Sequence, residues 1–351
     1  PETLRRVDLG IAAGAQGDEL GLLLTLRCVA GLWTGNLRQS VDSGLAALDL
    51  LPAGNRWWCN VMGHLFIGVA QEPAADQLTR LIERFRVAPL RSEAVTAYAA
   101  AANWVVTMYS LIGDRATAAL ALQRLQRMLS ETTPDPSVGP HIEGFLRSGQ
   151  LYFVRAFGAD PYHAVALGQE AAQRLSLVSD RHAAGSTYLG LCSLYAELGD
   201  WQAGRRLLQS FSPSPQREGI SILVATLTYS ALALACSEDP ADWEQIQAEA
   251  EQALAGSFSP AFSGMAHTAL ARLYLKKGQP ERAATEAAQG AELCRAMPPY
   301  ALDAQVQQIR ALLALGVLQL ERSQHEPALR AFDEARKVFA AHLDFRPGMA
   351  Y

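Results

Sequence analysis

Apolar residues recur along this chain at i, i+3, i+4 and i+7 rather than in alternation, which is the spacing of one helix face. The stretch 188–208, YLGLCSLYAELGDWQAGRRLL, shows the unit most clearly. Tyr188, Leu191, Cys192 and Tyr195 fall on one face of a first helix, Gly199 and Asp200 turn the chain, and Gly204 and Leu208 face back from a second helix. A small residue at the crossing lets two helix backbones approach, and a large one a turn away fills the groove beside it. No segment sustains the period-two pattern of a strand. The breaks keep a beat: turn signals at Gly35, Ala70, Gly113, Ala159, Gly199, Glu238, Gly278 and Ser323 lie about 41 residues apart on average. Prolines at Pro52, Pro89, Pro134 to Pro140, Pro213, Pro215, Pro260, Pro298 and Pro299 mark a second set of gaps. Glycine ends helices and proline breaks them, so the punctuation outlines paired helices of about 17 residues, roughly 26 Å each.

Eight such pairs are expected, at 17–50, 55–88, 92–130, 139–176, 181–212, 217–255, 260–296 and 300–341, with 2–14 as the second helix of a pair whose first helix is missing. Other units share the register of 188–208: His267, Leu270, Ala271, Tyr274, Gly278 and Ala283; Leu312, Leu315, Gly316, Ser323, Ala328, Phe332 and Ala335; and Ala102, Val105, Val106, Tyr109, Gly113, Asp114, Ala118 and Leu122. This order of large, small and aromatic positions around a Gly-Asp turn resembles the tetratricopeptide repeat (TPR), over nearly the whole chain. The period is longer than the common 34, a form similar to the arrays of large bacterial signalling ATPases, maltose-type transcription activators and kinesin light chains. The resemblance implies an all-α, right-handed superhelical solenoid of about eight antiparallel helix hairpins, one TPR-like domain over 1–351. Its edges look uncapped, and solenoids need polar caps for solubility, so self-association through the ends is an expectation.

Composition narrows the function. Net charge is −5 and pI near 5.9, which argues against a nucleic-acid or anionic-membrane binder. Arginine outnumbers lysine heavily, with only Lys276, Lys277 and Lys337 present, a bias that points to a GC-rich bacterial genome. The five cysteines, Cys28, Cys59, Cys192, Cys236 and Cys294, are scattered through apolar segments with no CxxC pair, as expected of reduced thiols in a cytoplasmic protein. Two uncharged runs, 94–113 and 219–237, are long enough to span a bilayer, but their Ala, Thr, Ser and Tyr content fits helices buried on several sides.

Catalytic signatures are missing. There is no GxxxxGK[ST], HExxH, EF-hand loop, GxSxG or kinase motif set. GIAAGAQG at 10–17 follows no strand, and His141 with Glu143 is read as part of a proline-rich connection rather than an acid–base or metal pair. The stretch RWWCNVMGHLF, 56–66, concentrates possible ligands, yet Cys59 and His64 sit about 140° apart around a helix, too divergent for one metal. Trp58, Met62, Leu65, Phe66 and Val69 form a core stripe instead. Neither a cofactor nor a metal is expected.

The TPR resemblance implies a concave groove lined by the first helices. In that register the groove candidates are Trp57, Asn60 and His64; Asn103 and Thr107; Phe153; Ser193; Arg272 and Lys276; and Arg310. Asparagine amides can clamp a peptide backbone and Arg or Lys can pair with a carboxylate. The chain is similar to the C-terminal TPR regions of multidomain bacterial serine/threonine kinases and signalling ATPases. This implies a non-catalytic interaction and sensor module in a larger signalling protein, with a protein or peptide partner and neither nucleic acid nor membrane. The alternatives are a small-molecule or signal-peptide sensor with a pocket at Trp57, His64 and Phe153, and a structural or oligomerising scaffold.

Overall fold

The computed structural model describes residues 2–69, 75–131, 138–158, 160–177, 181–210, 220–237, 239–256, 260–295 and 302–341. The expected turn positions Ala70, Ala159 and Glu238, and Pro134, Pro213, Pro215, Pro298 and Pro299, lie outside these residues. Among the described residues there are seventeen α-helices and no strand. A first helix, α1 (Glu2–Ala12), precedes eight pairs. They are α2 (Gly17–Trp33) with α3 (Leu37–Leu50), α4 (Arg56–Val69) with α5 (Ala75–Val87), α6 (Val95–Ile112) with α7 (Arg115–Glu131), and α8 (Gly139–Phe157) with α9 (Pro161–Leu177). Then follow α10 (Arg181–Glu197) with α11 (Trp201–Ser210), α12 (Ile220–Leu234) with α13 (Trp243–Gly256), α14 (Pro260–Lys276) with α15 (Pro280–Arg295), and α16 (Leu302–Glu321) with α17 (His325–Ala341). The fold is an all-α, TPR-like helical repeat.

The turn within a pair is built the same way several times over. Its residue takes a left-handed φ: 82° at Gly35, 88° at Gly113, 76° at Gly199, 66° at Gly278 and 59° at Ser323. The next N–H then reaches back five residues to an orphan carbonyl of the first helix: Asn36 to Gly31 at 2.8 Å, Asp200 to Tyr195 at 3.0 Å, Gln279 to Tyr274 at 2.8 Å and Gln324 to Gln319 at 2.8 Å. Where that next residue is Asn or Asp, its side chain also caps the second helix. Asn36 accepts from the Gln39 N–H at 3.3 Å, Asp114 from Thr117 at 3.0 Å and Asp200 from Ala203 at 3.0 Å. One two-residue turn thus closes one helix and opens the next.

Contacts cluster into two units, Pro1–Phe153 with Ala166–Ala184, and Val154–Val165 with Gly185–Tyr351. In the first, α2 packs on α3 and on the next first helix α4, and α4 packs on α5 and α6. Its core holds Trp58, Met62, Leu65 and Phe66 of α4, all buried, with Phe85 edge-on to Phe66 at 6.1 Å and stacked on Tyr98 at 4.8 Å. In the second, α14 packs on α12, α13, α15 and α16, around Ile246, Met265, Leu270, Leu273, Tyr274 and Leu318. Close crossings use missing side chains: a Cβ on Gly290 would stand 3.0 Å from the Gly264 carbonyl oxygen.

Arginines tie one pair to the next at the repeat spacing. Arg84 of α5 donates to the Leu48 carbonyl (2.8 Å) and to Asp49 (2.9 Å) at the end of α3. Arg124 of α7 donates to the Arg86 carbonyl (2.6 Å) at the end of α5 and to the Tyr98 hydroxyl (3.0 Å). A cation placed there satisfies last-turn carbonyls and opposes the negative end of the helix dipole.

No described helix is long and apolar enough to cross a membrane, α6 within the run 94–113 included.

Candidate functional site: the cavity on the first helices of unit 1

Asn55 sets the site. Its side chain accepts the Trp58 N–H at 2.7 Å and its carbonyl the Cys59 N–H at 2.9 Å, so α4 starts at Arg56 and presents Asn60 and His64 one turn apart. The His64 Nδ1 lies 2.8 Å from the Asn60 carbonyl, and the imidazole stands edge-on to Trp33 of α2, centroids 6.1 Å apart. With Nδ1–H donating to that carbonyl, the ring is fixed in orientation. Helix α6 packs close at Gly63: a Cβ there would meet the Ala101 Cα and Trp104 Cδ1 at 3.4 Å.

These helices wall a cavity of about 560 Å³. Trp33 comes from α2, Arg56, Asn60, Gly63 and His64 from α4, Thr96, Ala97, Ala100, Ala101 and Trp104 from α6, His141 and Phe145 from α8, and Ala183 from α10. The lining therefore comes from the first helix of five successive pairs. Alanines and a glycine make a low floor, five aromatic or imidazole rings make walls, and Arg56 and Glu93 contribute one charge of each sign. Cys59 also belongs to the wall, but burial pushes its thiol up to about 12, against the opposing charge of Arg91. It therefore stays protonated and is no nucleophile near neutral pH. Among the described residues no cluster of three His, Cys, Asp or Glu could hold a metal ion.

Of the ten groove residues expected from sequence, Asn60 and His64 line this cavity. Trp57 does not; it is half-buried with the Arg56 guanidinium 5.7 Å over its ring. Phe153 does not either, because the cavity sits at the start of α8 and Phe153 lies about 12 Å further along the helix than Phe145. Asn103 and Thr107 are corrected: they are buried, 5% and 2% exposed, and α8 packs against Asn103 at Gly149. Of the expected pocket of Trp57, His64 and Phe153, this cavity therefore holds His64 alone. In the second unit Ser193 is buried against the Arg155 guanidinium at 2.7 Å. Arg272 and Lys276 of α14 turn to the end of α12, Arg272 Nη1 3.2 Å from the Cys236 sulfur and Lys276 donating to the Ser237 carbonyl. The Arg310 side chain lies outside the described residues.

Sequence reasoning missed Trp33, Trp104, His141 and Phe145. His141 and Glu143 are not in a connection; α8 begins at Gly139, with Pro140 in its first turn, where a missing N–H costs nothing. Glu143 pairs with Arg174. The signal for Trp104 was present, since it stands outside the packing positions Ala102, Val105, Val106 and Tyr109.

No family model matches this chain, and no curated protein does. Among solved structures it is similar to a crystal structure of the P58(IPK) TPR domain, with 12% identity over 97% of this chain and 98% of that one, at a TM-score of 0.22. So loose a superposition supports no inference about site or partner.

Proposed function

We propose that this chain is a non-catalytic interaction module that binds a segment of a partner protein in the cavity of the first unit, as the sensor part of a larger bacterial signalling protein. The observation that carries the reading is the convergence of Trp33, His64, Trp104, His141 and Phe145 from four of the five first helices on one open, aromatic-walled cavity. Rigid rings give large contact area at small entropic cost, which is why aromatic residues anchor interfaces. Loss of Trp33 and Trp104 removes two of those anchors. The test is to select peptides on the wild-type chain from a displayed random library and measure their affinity by fluorescence polarisation. The double variant Trp33→Ala/Trp104→Ala is expected to bind them at least tenfold more weakly, while Leu120→Ala, on an exposed face of α7, leaves binding unchanged. Equal affinity of the folded double variant would exclude the cavity as the site.

The volume also suits a small molecule, since such sites run to about 300–1,000 Å³. A metabolite that raises the melting temperature of the wild type and not of the double variant would favour that second reading.

A further inference from the structure

Helix α6 carries an unusual stripe. Its sequence, VTAYAAAANWVVTMYSLI, is apolar almost throughout, yet Asn103, Thr107 and Ser110 fall four and three residues apart. That spacing keeps all three within about 40° of Asn103 around the helix. They are 5%, 2% and 0% exposed, and Asn103 Oδ1, Thr107 Oγ1 and Ser110 Oγ each lie enclosed with no hydrogen-bond partner. Asn103 in this stripe meets α8: a Cβ on Gly149 would stand 3.5 Å from Asn103 Oδ1 and from Val106, and Ser110 lies only about 20° from Asn103 around the helix. The opposite contact of α6, with α4, is of another kind, carbon against carbon at Gly63, Ala101 and Trp104.

We infer that the α6–α8 seam is the opening joint of the cavity, held shut less firmly than its neighbours so that α8 can part from α6. Buried polar groups without partners favour any state in which water reaches them. Among the described residues α4 carries no enclosed polar side-chain atom without a partner, so the two seams differ in sign of response to water. The joint acts on the cavity through one rigid helix. His141 and Phe145, which line the cavity, stand two turns and one turn before Gly149 on α8, whereas Trp104 follows Asn103 directly on α6. Parting α8 from α6 therefore hydrates the stripe and separates the walls in one movement, and an occupant that touches both Trp104 and Phe145 draws the seam closed. This inference rests on the cavity being the binding site only for its regulatory meaning; the joint itself is a property of the free chain.

Hydrogen exchange of the full chain followed by mass spectrometry tests it without a ligand. In the wild type the amides of 145–153 in α8 are expected to exchange at least tenfold faster than those of 61–66 in α4. Asn103→Leu with Thr107→Val removes two of the three unpartnered groups and should slow α8 exchange at least tenfold while leaving α3 and α4 unchanged. Equal rates in α8 and α4 of the wild type, or unchanged or faster α8 exchange in the folded double variant, would overturn the joint. Ser110→Ala removes a hydroxyl without adding volume, so it serves where the double variant does not fold; α8 exchange no slower than wild type in that variant also overturns it. A seam that opens in a chain whose selected peptides ignore Trp33 and Trp104 would leave the joint standing and defeat the binding reading, and the reverse outcome would do the opposite.

Discussion

Gly54 is the position where a single methyl group should cost most. It is buried in the turn before α4, with φ at 77°, and a Cβ added there would lie 2.0 Å from the Pro89 carbonyl oxygen. Three effects compete in Gly54→Ala. The left-handed backbone costs an L-residue about 1–2 kcal/mol. The stiffer unfolded chain returns about 0.4–1 kcal/mol. The overlap must be relieved by moving backbone, because the obstacle is a carbonyl rather than the end of a flexible side chain, and overpacking of this kind costs about 1–3 kcal/mol. The net is a loss of roughly 1–4.5 kcal/mol, centred near 3 kcal/mol. Gly14 supplies the control in the same unit, with φ at 93° and nothing within 4 Å of its would-be Cβ. Gly14→Ala should cost only about 0–1.6 kcal/mol, centred below 1 kcal/mol. Calorimetric melting separates them. For a unit of this size about 2–4 °C is lost per kcal/mol, so the central values put Gly54→Ala roughly 6–12 °C below wild type and Gly14→Ala within about 4 °C. Two variants melting within about a degree of each other would show that the Pro89 contact carries no energy, and the steric reasoning would fall. A functional consequence follows in the same variant, because the displaced turn holds Asn55, the cap that aims Asn60 and His64 into the cavity.

Ser323 occupies a left-handed turn position that glycine fills in the equivalent turns, so Ser323→Gly should stabilise the second unit by about 0.5–1 kcal/mol, read as a small rise in melting temperature; a fall would refute it. Burial raises the thiols of Cys28 to about 11 and of Cys59 and Cys294 to about 12, all from an ordinary value of 9.0. Folded pKa values above unfolded ones mean that the folded chain keeps protons the unfolded chain loses, so this stability is fully present below pH 9 and fades as pH rises towards 12. Urea midpoints should accordingly fall across that range, and less steeply in a Cys28→Ala/Cys59→Ala/Cys294→Ala variant. Arg124→Met should weaken the link between α5 and α7 by about 1–2 kcal/mol, since charge-assisted bonds to a helix end are lost while the apolar stem remains; exchange should quicken in α5 before α3.

The helical repeat was legible because turn chemistry is local. Gly35, Gly113, Gly199 and Gly278 announce a left-handed residue, and Asn36, Asp114 and Asp200 announce the cap that follows, whatever packs around them. Core positions were legible for a related reason: Trp58, Met62 and Phe66 are spaced to face one way, and apolar faces are buried wherever the next helix lies. The site was less so. Asn60 and Asn103 hold equivalent places in successive repeats, as do His64 and Thr107, and the register alone gives them one fate. Their fates differ because a groove position depends on how close the next first helix comes. Between α6 and α8 the approach is close, with Gly149 within contact reach of Asn103 and Val106, and Gly149 is far from either in sequence and absent from any pattern within one repeat. The face that a repeat register assigns to recognition is therefore a shared border, and the approach of the neighbouring helix decides whether its polar groups meet a partner or are shut inside. In this chain the same substitution of exposure for burial yields both features of the first unit: the open wall at Asn60 and His64, and the unsatisfied stripe at Asn103, Thr107 and Ser110 that makes the adjoining wall movable.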